Sequence, residues 1–258
     1  MKVSIFSFAA NDKFPIDIQH RQYKKYLKDD FEFILFNDAF SPAMQQAIDT
    51  IATYNNIDQV NVPQHIHKVQ NPSEGYAATL NWAVKDYAVS RGCEIVFLVH
   101  ADVFPVQPLS VVDIIGDNLV ASTMEYRKID SKEIYYLYPA LTMLNMKTIG
   151  NQISTLDFSV ARGLDTGGMT FNFVEKNNSL VKRLNNLAAD GMARLLSSGN
   201  LKEYLDADLQ ICAQYKLNKG WFCEGLYHYM AGSQWNSSNT TTANGHAERM
   251  KLFLRYFY

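Results

Sequence analysis

The sequence lacks what an extracellular disulfide scaffold, a zinc module, a membrane span or a nucleic-acid surface would need. Its 258 residues hold three cysteines, Cys93, Cys212 and Cys223, which form neither an even framework nor a Cys-x2-Cys pair, so reduced thiols in a cytoplasmic protein are the expectation. No apolar run approaches the roughly 20 residues of a membrane helix, so no transmembrane segment is expected. Charge of neither sign is in excess: 24 Lys and Arg face 26 Asp and Glu, a net charge of −2. That gives no basic field for a nucleic-acid partner. There is no internal repeat, and no low-complexity tract beyond the polar stretch Ser233 to Asn244. Asn236-Ser237-Ser238 and Asn239-Thr240-Thr241 fit the glycosylation pattern but carry no weight without secretion. The opening Val3 to Ala10 alternates serine with aliphatic and aromatic residues, as a first strand does and a signal segment does not.

What is present is enough apolar material, 47% of residues, for one α/β domain with a full core. Strand-like and helix-like segments alternate through the first half, which predicts βαβ units and a mainly parallel sheet. Strands are expected at Val3 to Phe8, Phe31 to Phe36 and Gln64 to Val69. Helices are expected at Asp17 to Leu27, from Pro42 with Ser41 as N-cap, and from the turn Asn71 to Gly75 onward, where Tyr76, Leu80, Ala83, Val84 and Tyr87 keep a helical period. Leu119 to Tyr126 reads as a strand and Glu133 to Leu144 as a strand pair or extended segment. Leu156 to Gly168 reads as a loop, Leu180 to Leu196 and Leu201 to Tyr215 as helices, and Ala247 to Tyr258 as a terminal helix.

The most informative run is Cys93 to Pro105, an apolar strand that ends in His100-Ala101-Asp102 before a turn proline. In open α/β sheets ligands bind at the carboxyl ends of the strands. His100 and Asp102 are two residues apart, so both side chains can point the same way, toward a divalent cation and a diphosphate. The bland alternative is that Asp102 caps a turn and His100 is a satisfied polar residue. A second loaded stretch, Trp221 to Trp235, delivers His228 from an aromatic strand, with Gly232 and Trp235 behind it. A third, Arg162-Gly163-Leu164-Asp165-Thr166-Gly167-Gly168, packs a cation, a carboxylate and three glycines into one turn. Tyr135, Tyr136, Tyr138, Trp221, Tyr227, Tyr229 and Trp235 could present faces on which a ligand ring stacks, although in a chain this aromatic most belong to the core.

These residues resemble the GT-A glycosyltransferases, most of all family-2-like members. The resemblance implies a Rossmann-like, mainly parallel mixed sheet flanked by helices, in a single domain over residues 1–258. Residues 1–126 would bind the nucleotide sugar and 127–258 would face the acceptor. It implies transfer of a sugar from a UDP- or GDP-sugar to a saccharide, lipid-linked or other hydroxyl acceptor, assisted by Mn2+ or Mg2+. The family's Asp-x-Asp element reads His100-Ala101-Asp102 here. Asp102, His228 and His100 are then the metal ligands, and His100 in place of a carboxylate favours Mn2+ over Mg2+. The donor would lie against Ala9, Asn11, Asp38, Ser73, Asn81, His100, Asp102 and Arg162. Ala9 and Ala10 would leave room for a ring, and Asp38 would accept hydrogen bonds from a base or ribose. Asn37-Asp38 and Ser73 read equally well as turn and capping chemistry. Asp165 would be the general base of an inverting transfer, or the cap of a helix N-terminus. The chain departs from family 2 in lacking both a Glu-Asp pair at Asp165 and a later Gln-x-x-Arg-Trp element, which leaves the stereochemical outcome open. Two other readings stand beside this one: a non-catalytic sugar-binding module with a degraded metal motif, and a sugar nucleotidyltransferase. The second would want a glycine-rich basic loop where Ala9-Ala10-Asn11-Asp12-Lys13 stands.

Overall fold

The computed structural model describes residues 1–10, 14–66, 71–161, 163–185, 187–188 and 220–229. In chain order the elements begin β1 (Val3–Ala9), α1 (Phe14–Tyr26), β2 (Phe31–Asn37), α2 (Pro42–Tyr54), β3 (Asp58–Asn61), α3 (Pro72–Trp82), α4 (Val89–Arg91), β4 (Ile95–His100) and β5 (Val103–Pro105). They continue α5 (Val111–Ile115), β6 (Val120–Ile129), β7 (Lys132–Asn145), α6 (Met146–Ile149), α7 (Phe171–Lys176), β8 (Val181–Arg183), β9 (Leu187–Ala188), β10 (Gly220–Cys223) and β11 (Leu226–Tyr229). The chain divides into two compact units. One comprises Met1–Ala10, Lys28–His100 and Ser110–Leu184, the other Asn11–Leu27, Ala101–Leu109 and Asn185–Tyr258.

The first unit holds a seven-stranded sheet in the order β3-β2-β1-β4-β7-β6-β8. Strands β3, β2, β1 and β4 are mutually parallel, β7 runs antiparallel to β4 and β6, and β8 is parallel to β6. All seven residues of β1 are buried, as expected of a parallel strand covered on both faces. On one face Phe6, Phe8, Ile34, Phe36, Val96 and Leu98 pack with Leu80, Ala83, Val84 and Ala88. Phe36 is the hub: the ring of Phe6 lies 4.8 Å away, and Tyr87 and Trp82 meet it edge-on at 5.2 and 5.9 Å. Each such fully buried side chain contributes about 1.5–3 kcal/mol.

The covering helix starts where its sequence says. The side chain of Asn71 accepts from the Ser73 amide and Pro72 fills the first turn. It continues through a π-helical segment at Ala83–Ala88 into α4 and stops at Gly92, whose φ of 67° is a left-handed cap. Ser41 caps α2 in the same way, accepting from the Met44 amide.

Two expected elements of this unit differ, the third strand and the helix from Leu180. The third strand is β3, Asp58–Asn61; of the expected Gln64 to Val69, residues 64–66 form a turn in which Ile66 donates to the Pro63 carbonyl, and residues 67–69 lie outside the described residues. Among the described residues β3 pairs only with β2, and a strand at the edge needs no apolar run, so Asp-Gln-Val-Asn escaped a search for one. Of the two readings of Glu133 to Leu144, the extended segment holds: it is one long strand, β7, turned back from β6 by Asp130 and Ser131 at φ 47° and 68°, the two positive angles of a tight hairpin. The helix expected from Leu180 begins instead as β8. Its residues pair with Val120 to Ser122, and the amides of Leu119 and Leu184 extend the contact through the Leu180 and Ser122 carbonyls. Sheet pairing there outweighs the helical period. Residues 189–196 of that helix, Leu201 to Tyr215, Ser233 to Asn244 and the terminal helix lie outside the described residues.

The second unit holds an antiparallel sheet in the order β5-β11-β10-β9. The aromatic stretch Trp221 to Tyr229 is a hairpin in place of one strand, turned by Glu224 and Gly225 at φ 49° and 82°. The Gly225 carbonyl accepts from the amides of Val106 and Gln107, at 2.9 and 3.3 Å. Helix α1 closes on the same segment: Leu109 bridges Leu27 and donates to the Tyr26 carbonyl, and the Gln19 amide donates to the Val103 carbonyl. Cys93 and Cys223 are free thiols, and Cys212 lies outside the described residues. Among the described residues no helix is long and apolar enough to cross a membrane.

On α1, burial, with the charge of Lys24 added and that of Asp17 opposing, pushes the His20 imidazole down to about 4. The folded protein therefore refuses a proton that the unfolded chain accepts below its ordinary value near 6.5. Stability toward urea should be unaffected by this group above about pH 6.5 and fall as the pH drops from there toward about 4. His20→Gln should flatten that part of the pH profile, read as the change in urea midpoint between pH 7 and pH 4.5.

Candidate metal centre and donor site

Strand β4 is buried from Ile95 to Val99 and half-buried at His100, which pairs with Phe8 of β1. After Ala101 and Asp102 the chain enters β5, whose Val103 stands opposite His228 of β11. That register brings the Nε2 atom of His228 to 3.3 Å from Oδ1 of Asp102, with both side chains almost fully buried. Two ligand atoms about 2.1 Å from one ion, at angles between octahedral and tetrahedral, lie about 3.0–3.4 Å apart, so the spacing suits a shared cation. Asp102 and His228 are a carboxylate and an imidazole of the kind that can hold a metal ion, and His100 stands two residues before Asp102 in the sequence.

His100 is oriented by aromatic neighbours. Tyr76 of α3 meets its ring edge-on at 5.1 Å and Tyr138 of β7 lies at 6.3 Å. Tyr76 also abuts Phe8, at 5.6 Å. Within the first unit, the expected donor residues fall at the carboxyl ends of β1 and β2 and along α3. Ala9 is buried at the end of β1, and its carbonyl accepts from the Asp38 amide at 2.8 Å. The Asp38 carboxylate accepts from the Thr79 hydroxyl at 3.1 Å. Asn37 is turned inward, bonding Gln45 and Asp49 of α2. Ser73 sits in the first turn of α3 and its carbonyl accepts from Thr166 at 2.9 Å, so the start of this helix is tied to the turn that carries Asp165.

Asn81 is engaged by the segment that follows α6. Its amide nitrogen donates to Asp157 and Ser159, and its oxygen accepts from the Phe158 amide. Asp157 was not singled out from sequence. Burial alone would push its carboxyl up, but hydrogen bonds from Ser159 and Asn81 and the charge of Lys85 outweigh that and hold it below the usual range. The Asp-x-Ser spacing, in which the Ser159 amide bonds back to the carboxylate at 2.9 Å, was a legible turn signal.

Asp165 is exposed on a turn fastened at several points. Its carboxylate accepts from the Thr166 amide and its carbonyl from the Gly168 amide, both at 2.8 Å. The Gly167 amide donates to Phe158, and Thr170 links the Gly167 carbonyl to the Leu137 amide. Glu125 of β6 also escaped sequence reading. Burial raises its carboxyl, the Arg127 guanidinium at 3.1 Å opposes the rise, and the charge of Asp165 adds to it. Alternation along β6 made Glu125 look like any solvent-facing strand residue. Asn11 and Arg162, also expected at the donor, lie outside the described residues, as do Gly232 and Trp235.

No family model and no curated protein matches the chain. Among solved structures it resembles the bifunctional glycosyltransferase WbbM, with a TM-score of 0.51 and 11% identity over 98% of this chain and 51% of that one. It also resembles the galactosyltransferase LgtC in complex with donor and acceptor sugar analogues, at 0.47 and 13% over 96% and 94% of the two chains. Glucosyl-3-phosphoglycerate synthase from Mycobacterium tuberculosis, in complex with Mn2+, UDP and glucosyl-3-phosphoglycerate, gives 0.47 and 13% over 76% and 79%. At 11% identity the likeness to WbbM speaks for the fold alone, which is the GT-A fold expected from the sequence.

Gly167 holds φ at 86°, and a Cβ placed there would come within 2.7 Å of the Leu137 carbonyl oxygen. Gly163 has a similar φ, but a Cβ there would meet only the flexible tip of Ile129 at 3.1 Å. Gly167→Ala should therefore lower stability by roughly 1–3 kcal/mol for the left-handed backbone alone, and by more for the clash. Gly163→Ala should cost less; paired urea titrations compare the two.

Proposed function

We propose that this protein transfers a sugar from a nucleotide-sugar donor to a hydroxyl acceptor, with a divalent cation held by Asp102, His228 and His100. The observation that carries the reading is the approach of His228 to Asp102, two residues remote in sequence, at 3.3 Å in a buried setting. The GT-A fold supports it, because in that architecture the end of the fourth strand is a natural place for a diphosphate.

When bound, the cation supplies Lewis-acid stabilisation of the leaving nucleoside diphosphate. The chain's own residues do the rest. Asp102 would provide the negative charge and His228 and His100 the nitrogen donors, with Tyr76 edge-on to the His100 ring and Tyr138 tilted beside it. Asp38, steadied by Thr79, accepts a hydrogen bond from the nucleoside, and Ala9 lets its ring approach closely. Ser73 and Asn81, on α3, and Asn11 and Arg162, outside the described residues, are assigned to the donor by the same reading. In an inverting transfer the acceptor hydroxyl attacks the anomeric carbon as the bond to the diphosphate breaks. Asp165, exposed and fixed by the turn around it, takes the proton.

Release of free nucleoside diphosphate from a panel of UDP- and GDP-sugars tests the reading. Mn2+ should support release better than Mg2+, and a chelator should stop it. Donor binding with no release under any acceptor or metal would point instead to a sugar-binding module. Asp165→Asn should lower kcat by 100-fold or more while leaving donor affinity within a few-fold, the pattern of a lost general base. An equal loss of donor affinity would assign Asp165 to the donor or to the turn.

A further inference from the structure

Helix α1 is buried on most of its circumference, and among Ile16, Ile18 and Tyr23 it carries a glutamine, Gln19, with no exposed surface. A buried amide is costly unless it is hydrogen-bonded, and a leucine would fill that position more cheaply. Gln19 has a specific use: its Nε2 donates to the carbonyl of Val103 at 2.8 Å, 84 positions along the chain. Val103 is the first residue of β5, follows Asp102 directly and stands opposite His228 in the β5–β11 register. β5 has only three residues, so it has few ladder bonds of its own to fix where it begins.

We infer that Gln19 is a positioning residue for the Asp102–His228 pair, holding the start of β5 so that both side chains keep their spacing. The inference rests on the metal reading proposed above. Without the Gln19 donor, the buried Val103 carbonyl must find another partner, and the adjustment moves the backbone that carries Asp102. Groups that orient metal ligands typically influence affinity by about 10–100-fold. Ligation is unforgiving because bond lengths must stay within about 0.2 Å.

Gln22, three residues further along α1 and also buried, supplies a matched control. Gln19→Met keeps the size of the side chain and removes the donor. Mn2+ titration of the full chain, followed by the loss of the free Mn2+ signal in electron paramagnetic resonance, should show about 10–100-fold weaker binding for Gln19→Met. Gln22→Met should stay within about twofold of wild type by the same measure, since among the described residues it bonds no ligand-bearing backbone. Thermal unfolding without metal separates this from a general loss of structure: the two variants should melt within a few degrees of each other. Should Gln19→Met not fold, Gln19→Leu, which also lacks the donor and adds no charge, is read in its place with the same expectation. Wild-type affinity in the Gln19 variant, or an equal loss in Gln22→Met, overturns the inference. A wild-type protein that binds no Mn2+ overturns the metal reading itself and this inference with it.

Discussion

A carboxylate withdrawn from water loses several kcal/mol of hydration that only a close positive partner can restore, and Asp102 is withdrawn almost completely. Its partner is His228, 3.3 Å away. Either a protonated imidazole or a cation shared by the two can supply the missing charge, and the second choice turns an expensive burial into a binding site. The second unit is built around keeping this pair together. β5 lies against β11, the Gly225 turn receives the amides of Val106 and Gln107, and α1 grips the same strand at Val103 and Leu109.

The first unit supplies a rigid edge of a different kind. Its parallel strands are packed on both faces, and the aromatic stack of Phe6, Phe36, Trp82 and Tyr87 leaves little room for the sheet to flex. Ala9, Asp38 and His100 all sit at the ends of these packed strands, so their positions follow the order of the sheet. Tyr76 touches both Phe8 and His100, so the long helix conveys the order of the core to the last residue of β4.

Much of the fold was legible because apolar periodicity and capping chemistry agree in the first half of the chain. Ser41 and Asn71 cap helices, β1, β2 and β4 read as strands, and His100 and Asp102 announce the end of β4. The misread elements share a cause. β3 is polar because it is an edge, β8 takes its conformation from β6, and the turns at Asp130-Ser131 and Glu224-Gly225 lack the Asn-Gly or Asp-Gly signal that marks a hairpin. At the candidate site, residue types were readable but partnerships were not. Nothing local in the sequence says that Asn81 is committed to Asp157 and Phe158, or that burial and Asp165 raise the carboxyl of Glu125, since each depends on a contact from a distant strand or loop.

The central claim is that Asp102 and His228 act as one cation site, and a double-mutant cycle in Mn2+ affinity measures this most directly. The dissociation constant is taken for the wild type, Asp102→Ala, His228→Ala and the double variant. Two ligands of one ion cannot be lost independently, so each single change should weaken binding by at least about tenfold, and the double variant should be far less impaired than the product of the two losses. Single changes that leave Mn2+ affinity untouched, or losses that multiply in full, would contradict a shared cation and leave the pair as a buried ion pair.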